Sequence, residues 1–394
     1  MRTALSKKST IKPAEVKSTE MKSSTSGQHI GLALMSAALA LPFAATVQAE
    51  NAPERGLISF KYLDYLDSQP AAERIRVKTS ALSILAPIAG EWAVGGMMTY
   101  DGISGASPAY QDSALIKMHD QRRAIETDVT RYLPDGSYTL GASLSKESDY
   151  LSRSLSAKGS RTSEDKNTTW SAGISVNNDT IKPNRRIVGN ENKRVVSTLL
   201  SVTQIMTTHD IVQVNLGYTV GHGYYTDPYK VFDQRPRERK SSTLMTRWNH
   251  HIDMTEGTAR VSYRYFSDTW GIKAHTLGME YVQPLPMGWT ATPQVRLYSQ
   301  SAANFYVNAD RNAYPFPPDP PENAVYFSED QRLSAFGAAT LGLKLVKQLN
   351  ADWLVDVKYE HYTQRSSWRL FGTGSPDLLQ FNFRSIQLGV SRQF

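Results

Sequence analysis

From Arg55 onward, apolar and polar residues alternate with a period of two, in stretches of about ten to fifteen residues separated by turn-forming runs. Successive side chains of a strand point to opposite faces, so each stretch presents one apolar and one polar side. The segments predicted as strands are 57–66, 73–85, 91–101, 119–133, 137–147, 150–163, 167–178, 193–207, 210–222, 240–253, 258–269, 272–284, 288–300, 328–347, 352–366 and 380–394. That makes sixteen, an even number, as a single-chain barrel needs when both ends lie on one side of a membrane. Dividing the chain near Glu147–Tyr150 preserves the even count; merging strands elsewhere gives twelve or fourteen.

The two faces separate clearly in the second half. Trp353, Val355, Val357 and Tyr359 share one face, opposite Asp356, Lys358, Glu360 and Tyr362. Val261, Tyr263 and Tyr265 oppose Arg260, Ser262, Arg264 and Asp268, and Trp289, Val295 and Leu297 oppose Gln294, Arg296, Tyr298 and Gln300. Unpaired charge at mid-depth in hydrocarbon costs about 2–4 kcal/mol per residue, so the charged face must line a lumen. Trp289, Trp353, Tyr263 and Tyr359 are then candidates for interfacial aromatic girdles. Counting back from Phe394, short turns fall at 86–90, 134–136, 163–166, 208–210, 255–257, 285–288 and 349–351. Long connections fall at 102–118, 179–192, 223–239, 301–327 and 367–379, on the opposite side. Short periplasmic turns and long outer loops are the asymmetry of an outer-membrane barrel. The pattern therefore predicts an all-β fold, a transmembrane antiparallel up-and-down β-barrel of about 16 strands, within a range of 12–16.

The last strand supports the same reading. Ile386, Leu388, Val390 and Phe394 alternate with Gln387, Gly389, Ser391 and Gln393. A terminal strand ending in Phe is what the barrel assembly machinery of Gram-negative bacteria engages. Arg392 departs from it by standing on the lipid-facing parity, two residues from the rim, where it can extend to headgroups.

Composition adjusts the picture in three ways. A hydrophobic content of 40 % and a mean hydropathy of −0.42 look soluble, which is what alternation between lipid and lumen averages to. The one long apolar run, Ile30 to Val47, follows basic residues and precedes Val47-Gln48-Ala49, a small-x-small site. Residues 1–49 read as a removed signal peptide and 50–394 as the barrel, with Met21 an alternative start. Residues 1–49 hold six basic and two acidic residues, so +4 of the formal +7 lies there and only +3 remains. Nucleic acid is not an expected partner. The absence of Cys excludes disulfides, thiolate metal sites and thiol catalysis.

The inward-facing charges mix signs: Arg247, Arg260, Arg264, Arg296, Lys344 and Lys358 against Asp253, Asp268, Glu280, Asp356 and Glu360. They read either as a selective polar channel or as a salt-bridged lining that holds the barrel in shape. Adjacent His250 and His251 point to opposite faces, and no His-x-His or His-Glu-x-x-His spacing occurs. No metal site, cofactor or catalytic constellation is expected, and the protein reads as a non-enzyme. Gly221-x-Gly223 lacks the third glycine and the helix of a dinucleotide loop. The run Arg235-Pro236-Arg237-Glu238-Arg239-Lys240 suits either an anionic ligand such as lipopolysaccharide phosphate or local salt links. The prolines of 315–321 favour an extended, stiff loop, or a lid.

Several strings resemble the bacterial outer-membrane family catalogued as domain of unknown function 3570. They are Asp101-Gly102-Ile103-Ser104-Gly105-Ala106-Ser107-Pro108, Lys146-Glu147-Ser148-Asp149-Tyr150-Leu151-Ser152 and Tyr225-Thr226-Asp227-Pro228-Tyr229-Lys230, with Arg235-Pro236 and Arg239. Tyr263 to Ile272, Arg296 to Ala302 with Phe305-Tyr306, and Asp330-Gln331-Arg332-Leu333-Ser334 follow in order. Ser107 departs from the family's more usual Ala-Thr-Pro, and the second string lacks an Arg after its Glu. The resemblance implies a barrel in the outer membrane, without an assigned activity. It also implies gene neighbours encoding a thioredoxin-like protein, a flavin transferase and a small lipoprotein, hence a periplasmic redox or export pathway. Asp101, Glu147, Asp149, Asp227, Lys230, Arg235, Arg264, Asp268 and Arg296 are expected to form an electrostatic network at the outer strand ends, for recognition, gating or loop anchoring. The expected function is passage or binding of a small polar solute or peptide. The alternative is a non-conducting, partner-docking barrel. Expected partners are outer-membrane lipid and lipopolysaccharide, the barrel assembly machinery, and a periplasmic redox protein or small lipoprotein.

Overall fold

The computed structural model describes residues 51–70, 72–106, 117–183, 189–228, 230, 232–308 and 322–394. The expected signal segment 1–49 and the proline run 315–321 lie outside the described residues.

Sixteen long strands and two short ones run in sequence: β1 (Leu57–Gln69), β2 (Ala72–Ile88), β3 (Trp92–Ala106), β4 (Lys117–Leu133), β5 (Gly136–Lys146), β6 (Tyr150–Thr162), β7 (Thr168–Ile181), β8 (Glu191–Ile205) and β9 (Asp210–Gly223). Then follow β10 (Asp233–Gln234), β11 (Glu238–Ile252), β12 (Gly257–Asp268), β13 (Lys273–Leu285), β14 (Trp289–Gln300), β15 (Phe327–Ser328), β16 (Phe336–Gln348), β17 (Trp353–Arg365) and β18 (Phe381–Gln393). The long strands close into one antiparallel barrel in which each pairs with its sequence neighbours and β18 returns to β1, Leu57 opposite Gln393. The two short strands pair with each other outside the barrel sheet. This is the up-and-down barrel that the alternation predicts, with sixteen barrel strands.

A strand of 13 residues such as β1 is about 43 Å long at ~3.3 Å per residue. Tilted by ~40°, it spans about 33 Å along the barrel axis, more than the ~25 Å apolar band of such barrels. Closure satisfies every inter-strand backbone group without leaving a sheet edge, which is the condition for a sheet in hydrocarbon. The outward face is apolar: Phe60, Leu82, Ile84, Leu140, Leu155, Ile174, Leu216, Leu341, Ile386 and Leu388 are exposed, whereas Ser59, Thr79, Asp101, Asp356, Ser385 and Gln387 are buried inside.

Five of the seven tryptophans lie on the outward face toward the rim of short turns. Trp92, Trp170, Trp248, Trp289 and Trp353 are between 38 % and 62 % exposed there. Three carry a cation over the ring: Arg131 on Trp92 at 5.4 Å, Lys347 on Trp289 at 5.3 Å and Arg392 on Trp353 at 5.5 Å. An indole at the headgroup level capped by a basic side chain is a favourable interfacial pair. Arg392 is thus accommodated on a lipid-facing position through Trp353. Tyr263 and Tyr359 face outward nearer the middle of their strands.

One predicted strand is corrected. The segment 328–347 enters the barrel only at Phe336. Before it, Gln331–Leu333 forms a short 3-10 turn whose start is capped by Asp330, the carboxylate accepting from the Arg332 N–H. That turn leads the chain away from the sheet and into the barrel mouth.

Candidate functional site

The rim of long loops holds the chemistry. Gln300 and Gln69 point inward at the ends of β14 and β1. Gln300 Nε2 donates to the carbonyls of Arg332 at 3.0 Å and Ser334 at 2.6 Å, and Gln69 Nε2 donates to Gln331 Oε1 at 3.2 Å. Segment 327–335 therefore lies inside the mouth and reaches from β14 to β1. The pairing of β10 with β15 ties it to the loop that follows β9.

Where these two loops meet, six charges come together, three buried carboxylates and three largely buried cations. Asp330, 1 % exposed, accepts from Lys230 Nζ and Arg235 Nη2 at 2.7 Å each, and from Arg332. Arg235 also donates to Asp233 at 2.9 Å, and the Asp227 N–H donates to Asp233 Oδ2 at 2.5 Å. Three carboxylates face three cations, so the cluster is neutral overall. Burial alone would raise the Asp330 carboxyl, but the charges of Arg332, Lys230 and Arg235 outweigh it and hold it well below the ordinary range. Burial lowers the Lys230 ammonium, and the Asp330 charge opposes that fall. Burial also pushes the neighbouring Glu329 carboxyl up to about 7.

An apolar layer supports this cap. Trp270, Ile272, Ala303 and Leu333 pack together, with Tyr225, Phe266, Phe305 and Tyr306 against them. Asp268 organises the turn between β12 and β13 by accepting the N–H groups of Trp270 at 3.0 Å and Ile272 at 2.9 Å. Its partner in charge is Arg239, at 2.5 Å, whose guanidinium also lies 4.3 Å over the Trp270 ring.

A second charged group sits on the opposite wall. Arg122 of β4 donates to Asp101 of β3 at 2.5 Å. Asp120, Glu147 and Asp149, all buried, each bring a carboxylate oxygen within 4.8 Å of the other two. Burial, then the charges of Asp120 and Asp149, push the Glu147 carboxyl up to about 8.

The third group lies deeper, in the bore. Arg247, Arg264 and Arg296 face inward and are exposed there, and no ion pair of theirs occurs among the described residues. Arg247 is opposite Ser262, Ser262 opposite Gly278, and Gly278 opposite Arg296, so two arginines flank a small-residue gap at one level. Arg264 stands two residues along β12, and Arg260, two residues the other way, lies 4.0 Å from Glu280. Elsewhere in the lining Lys358 pairs with Glu360 at 3.0 Å, whereas neither carboxylate oxygen of Asp356 has a hydrogen-bond partner.

The nine residues singled out in sequence thus divide into four sets. Asp227, Lys230 and Arg235 belong to the cap; Asp101, Glu147 and Asp149 to the β3–β6 wall; Arg264 and Arg296 to the bore; and Asp268 to the turn beneath the cap. Sequence reasoning passed over Asp233, Asp120 and Arg122 as single charges. It grouped Asp330 and Arg332 only within a family string, although alternating signs at 330–332 and 227–235 hinted at pairing. The basic run is matched locally: Arg237 to Glu191 at 2.7 Å, Arg239 to Asp268 and Lys240 to Glu238 at 2.7 Å. Two of the histidines pair with carboxylates at the other rim, His250 with Asp210 at 2.8 Å and His209 with Asp253 at 3.0 Å.

Comparison with known proteins gives the family and the fold. No curated protein matches the sequence. Among solved structures, a bacterial polysaccharide outer membrane secretin is similar with a TM-score of 0.51 at 8 % identity, over 86 % of this chain and 98 % of that one. CdiB from Acinetobacter baumannii follows at 0.46 and 11 %, over 84 % and 60 %, and OpdK from Pseudomonas aeruginosa at 0.42 and 11 %, over 86 % and 98 %. At such identities the likeness is one of fold, an outer-membrane-type barrel. The family model described as "Protein of unknown function (DUF3570)" matches residues 110–188 and 184–385, more than half of the sequence and most of the barrel, so the chain belongs to that family.

Proposed function

We propose that this protein is an outer-membrane barrel that binds or passes a small anionic solute, entering from the long-loop side past the inward-folded cap. The observation that carries the reading is the trio Arg247, Arg264 and Arg296, inward, exposed and without an ion pair among the described residues. Arg247 and Arg296 stand three strands apart, about 14 Å at ~4.8 Å per strand, within reach of one ligand held between extended side chains. A guanidinium presents a planar fork that matches carboxylate or phosphate, and an anion between arginines relieves their mutual repulsion. Outer-membrane placement is supported by the apolar outward belt, the tryptophan girdle and the closed barrel.

The test is reconstitution of the folded chain in planar bilayers under a salt gradient. The reading expects anion-preferring conductance, with the preference reduced in a triple Arg247→Ala, Arg264→Ala, Arg296→Ala variant. A second reading, a closed barrel that docks a partner through its loops, is favoured by the cap itself, since 327–335 fills part of the mouth. Loss of cap packing separates the two. A barrel that stays silent with the cap loosened is a scaffold, and the solute reading fails.

A further inference from the structure

The loop between β17 and β18 turns back over the outer wall of the barrel. Leaving β17 at Arg365, it makes the short 3-10 turn Ser366–Trp368, then crosses the ends of β16 and β14 toward β13. Each wall residue that it meets faces outward. The Trp368 carbonyl lies where a side chain on Gly337 would be. The Leu370 N–H donates to Ser299 Oγ at 2.8 Å, and the Phe371 ring lies 5.0 Å from the His275 ring. His275, Ser299 and Gly337 stand opposite one another across β13, β14 and β16. They share the parity of Met279, Leu297 and Leu341, which are exposed on the outward face. The small residues at 299 and 337 leave the shelf on which the loop backbone rests. Beyond the shelf the chain is tied to the cap segment. The Ser375 N–H donates to the Ala335 carbonyl, and Ser375 Oγ accepts from the Ala335 N–H, both at 2.8 Å.

The side chains left outside are apolar: Trp368 is 40 % exposed, Leu370 56 % and Phe371 79 %. Their height follows from the strand. Ser299 is ten residues from Trp289 on β14, about 33 Å of chain at ~3.3 Å per residue. At a tilt of ~40° that is about 25 Å along the axis, the height of the apolar band. The loop therefore lies at the outer edge of the band, level with lipid headgroups. Five tryptophans mark the opposite edge and Trp270 supports the cap, so Trp368 is the one tryptophan here. Arg365 lies 5.0 Å over its ring, repeating the pairing that Arg131, Lys347 and Arg392 make at the other rim. Arg365 and Lys273 are exposed on the outward parity and have no ion pair among the described residues.

We propose that residues 366–374 are an anchor for phosphate-bearing lipid of the outer leaflet. Trp368, Leu370 and Phe371 lie against the acyl chains, and Arg365 and Lys273 meet the headgroup phosphates. Apolar and aromatic side chains backed by cations at headgroup height are what an interfacial anchor requires. Lipid is favoured over a protein partner because the patch is continuous with the apolar wall and sits at its edge. The inference rests on the membrane placement in the proposed function and is independent of the anion reading.

The chain has no Cys, so a single introduced thiol can carry a fluorophore. Phe371→Cys and Leu341→Cys, the latter on the wall, are labelled in the full chain and refolded into vesicles containing nitroxide-labelled lipid. Folding is checked by the gel mobility of unboiled samples. Both labels should be quenched. A basic residue near the surface enriches anionic lipid by about fivefold. Nitroxide-labelled phosphatidylglycerol should therefore quench the label at 371 about twofold or more beyond phosphatidylcholine at equal mole fraction. That excess should vanish when Arg365→Gln and Lys273→Gln are added. Quenching at 341 without quenching at 371 would overturn the anchor. So would equal quenching by the two lipids, or an excess that survives loss of both cations. Energy transfer between donor- and acceptor-labelled chains at 371, in place of lipid quenching, would assign the patch to a second copy of the chain. Silence at both positions would refute the membrane placement itself, and the anchor with it.

Discussion

Replacing Asp330 by Asn removes one negative charge from the centre of the cap while keeping the side chain's shape. The capping acceptor for the Arg332 N–H is retained, so the perturbation is almost purely electrostatic. Lys230, Arg235 and Arg332 all donate to this carboxylate, and its loss leaves three buried cations against Asp227 and Asp233. Breaking one member out of a buried ion network costs about 3–5 kcal/mol, because the remaining charge is uncompensated. At 1.4 kcal/mol per tenfold, cap opening should increase by roughly two to three and a half orders of magnitude. The barrel itself should persist, because the cap meets it mainly through Gln69, Gln300 and the turn below. Trypsin reads the difference directly, since Lys230 and Arg332 are potential cleavage sites whose side chains are mostly buried in the closed cap. Cleavage there tracks the open fraction when opening and closing are fast. Asp352→Asn is the control: its ion pair with Arg55 is half-exposed, and such pairs contribute about 0–1 kcal/mol. Unchanged cleavage in Asp330→Asn would show that the six charges do not hold the cap shut. Loss of the barrel's heat-modifiable mobility would show that they support the whole fold instead.

Other consequences of the same geometry are open to measurement. A Cβ on Gly337 would sit 1.9 Å from the Trp368 carbonyl oxygen, so Gly337→Ala should displace the loop between β17 and β18 and cost about 1–3 kcal/mol. A urea midpoint indistinguishable from wild type counts against that packing. The depressed Asp330 carboxyl contributes stability that is present above its unfolded value of about 3.9 and is lost only as pH falls through its lower folded value. The cap should therefore resist pepsin at pH 4 as well as it resists trypsin at pH 7; accessible cut sites at pH 4 would contradict the charge argument. Arg392→Glu removes the cation over Trp353, worth about 0.5–2 kcal/mol, and puts an acid beside lipid phosphates. Unfolding by urea should shift to lower concentration, and a shift to higher concentration would refute the girdle pairing.

The barrel was legible because its information is periodic. Each strand repeats the same inward and outward choice, so an error of two residues at an end, as at β8, does not change the architecture. The short turns were legible for the same reason, being defined by where the alternation stops. The cap was not, because it rests on non-local pairs: Asp330 with Lys230 and Arg235, Gln331 with Gln69. Segment 328–335 misled specifically, since Phe327, Leu333 and Ala335 continue an apolar parity into β16 while the Asp330 cap bends the chain away. The bore arginines were visible as a lumen list, but the absence of ion pairs to them among the described residues was not. Arg260 and Arg264 look equivalent in sequence, yet Glu280 on β13 faces only the first. The acidic trio joins residue 120 to residues 147 and 149, and its closeness follows from the β4–β5 register rather than from any spacing motif.

Phe394→Ala tests the proposed recognition by the assembly machinery separately from the stability of the barrel seam. The Phe394 N–H donates to the Gly56 carbonyl at 3.0 Å and its carbonyl accepts from the Gly56 N–H at 2.8 Å, extending the β1–β18 pairing by one step. The ring lies where a Gly56 side chain would be, 2.4 Å from a built Cβ, so glycine at 56 is what lets the aromatic residue close over the seam. Phe394→Ala keeps both backbone bonds and removes only the ring. With the residue 55 % exposed, less than half of its apolar area is buried, and the loss should be about 1 kcal/mol. Refolding from urea into lipid vesicles, without any assembly factor, measures that term alone. If the ring is read during assembly, the amount of barrel in the outer membrane should fall several-fold in cells while the refolded stability moves by no more than about 1 kcal/mol. Normal outer-membrane levels would place the assembly signal elsewhere. A large loss in the vesicle experiment would assign Phe394 to the seam, and with it Gly56, whose replacement by any larger residue should then produce the same defect.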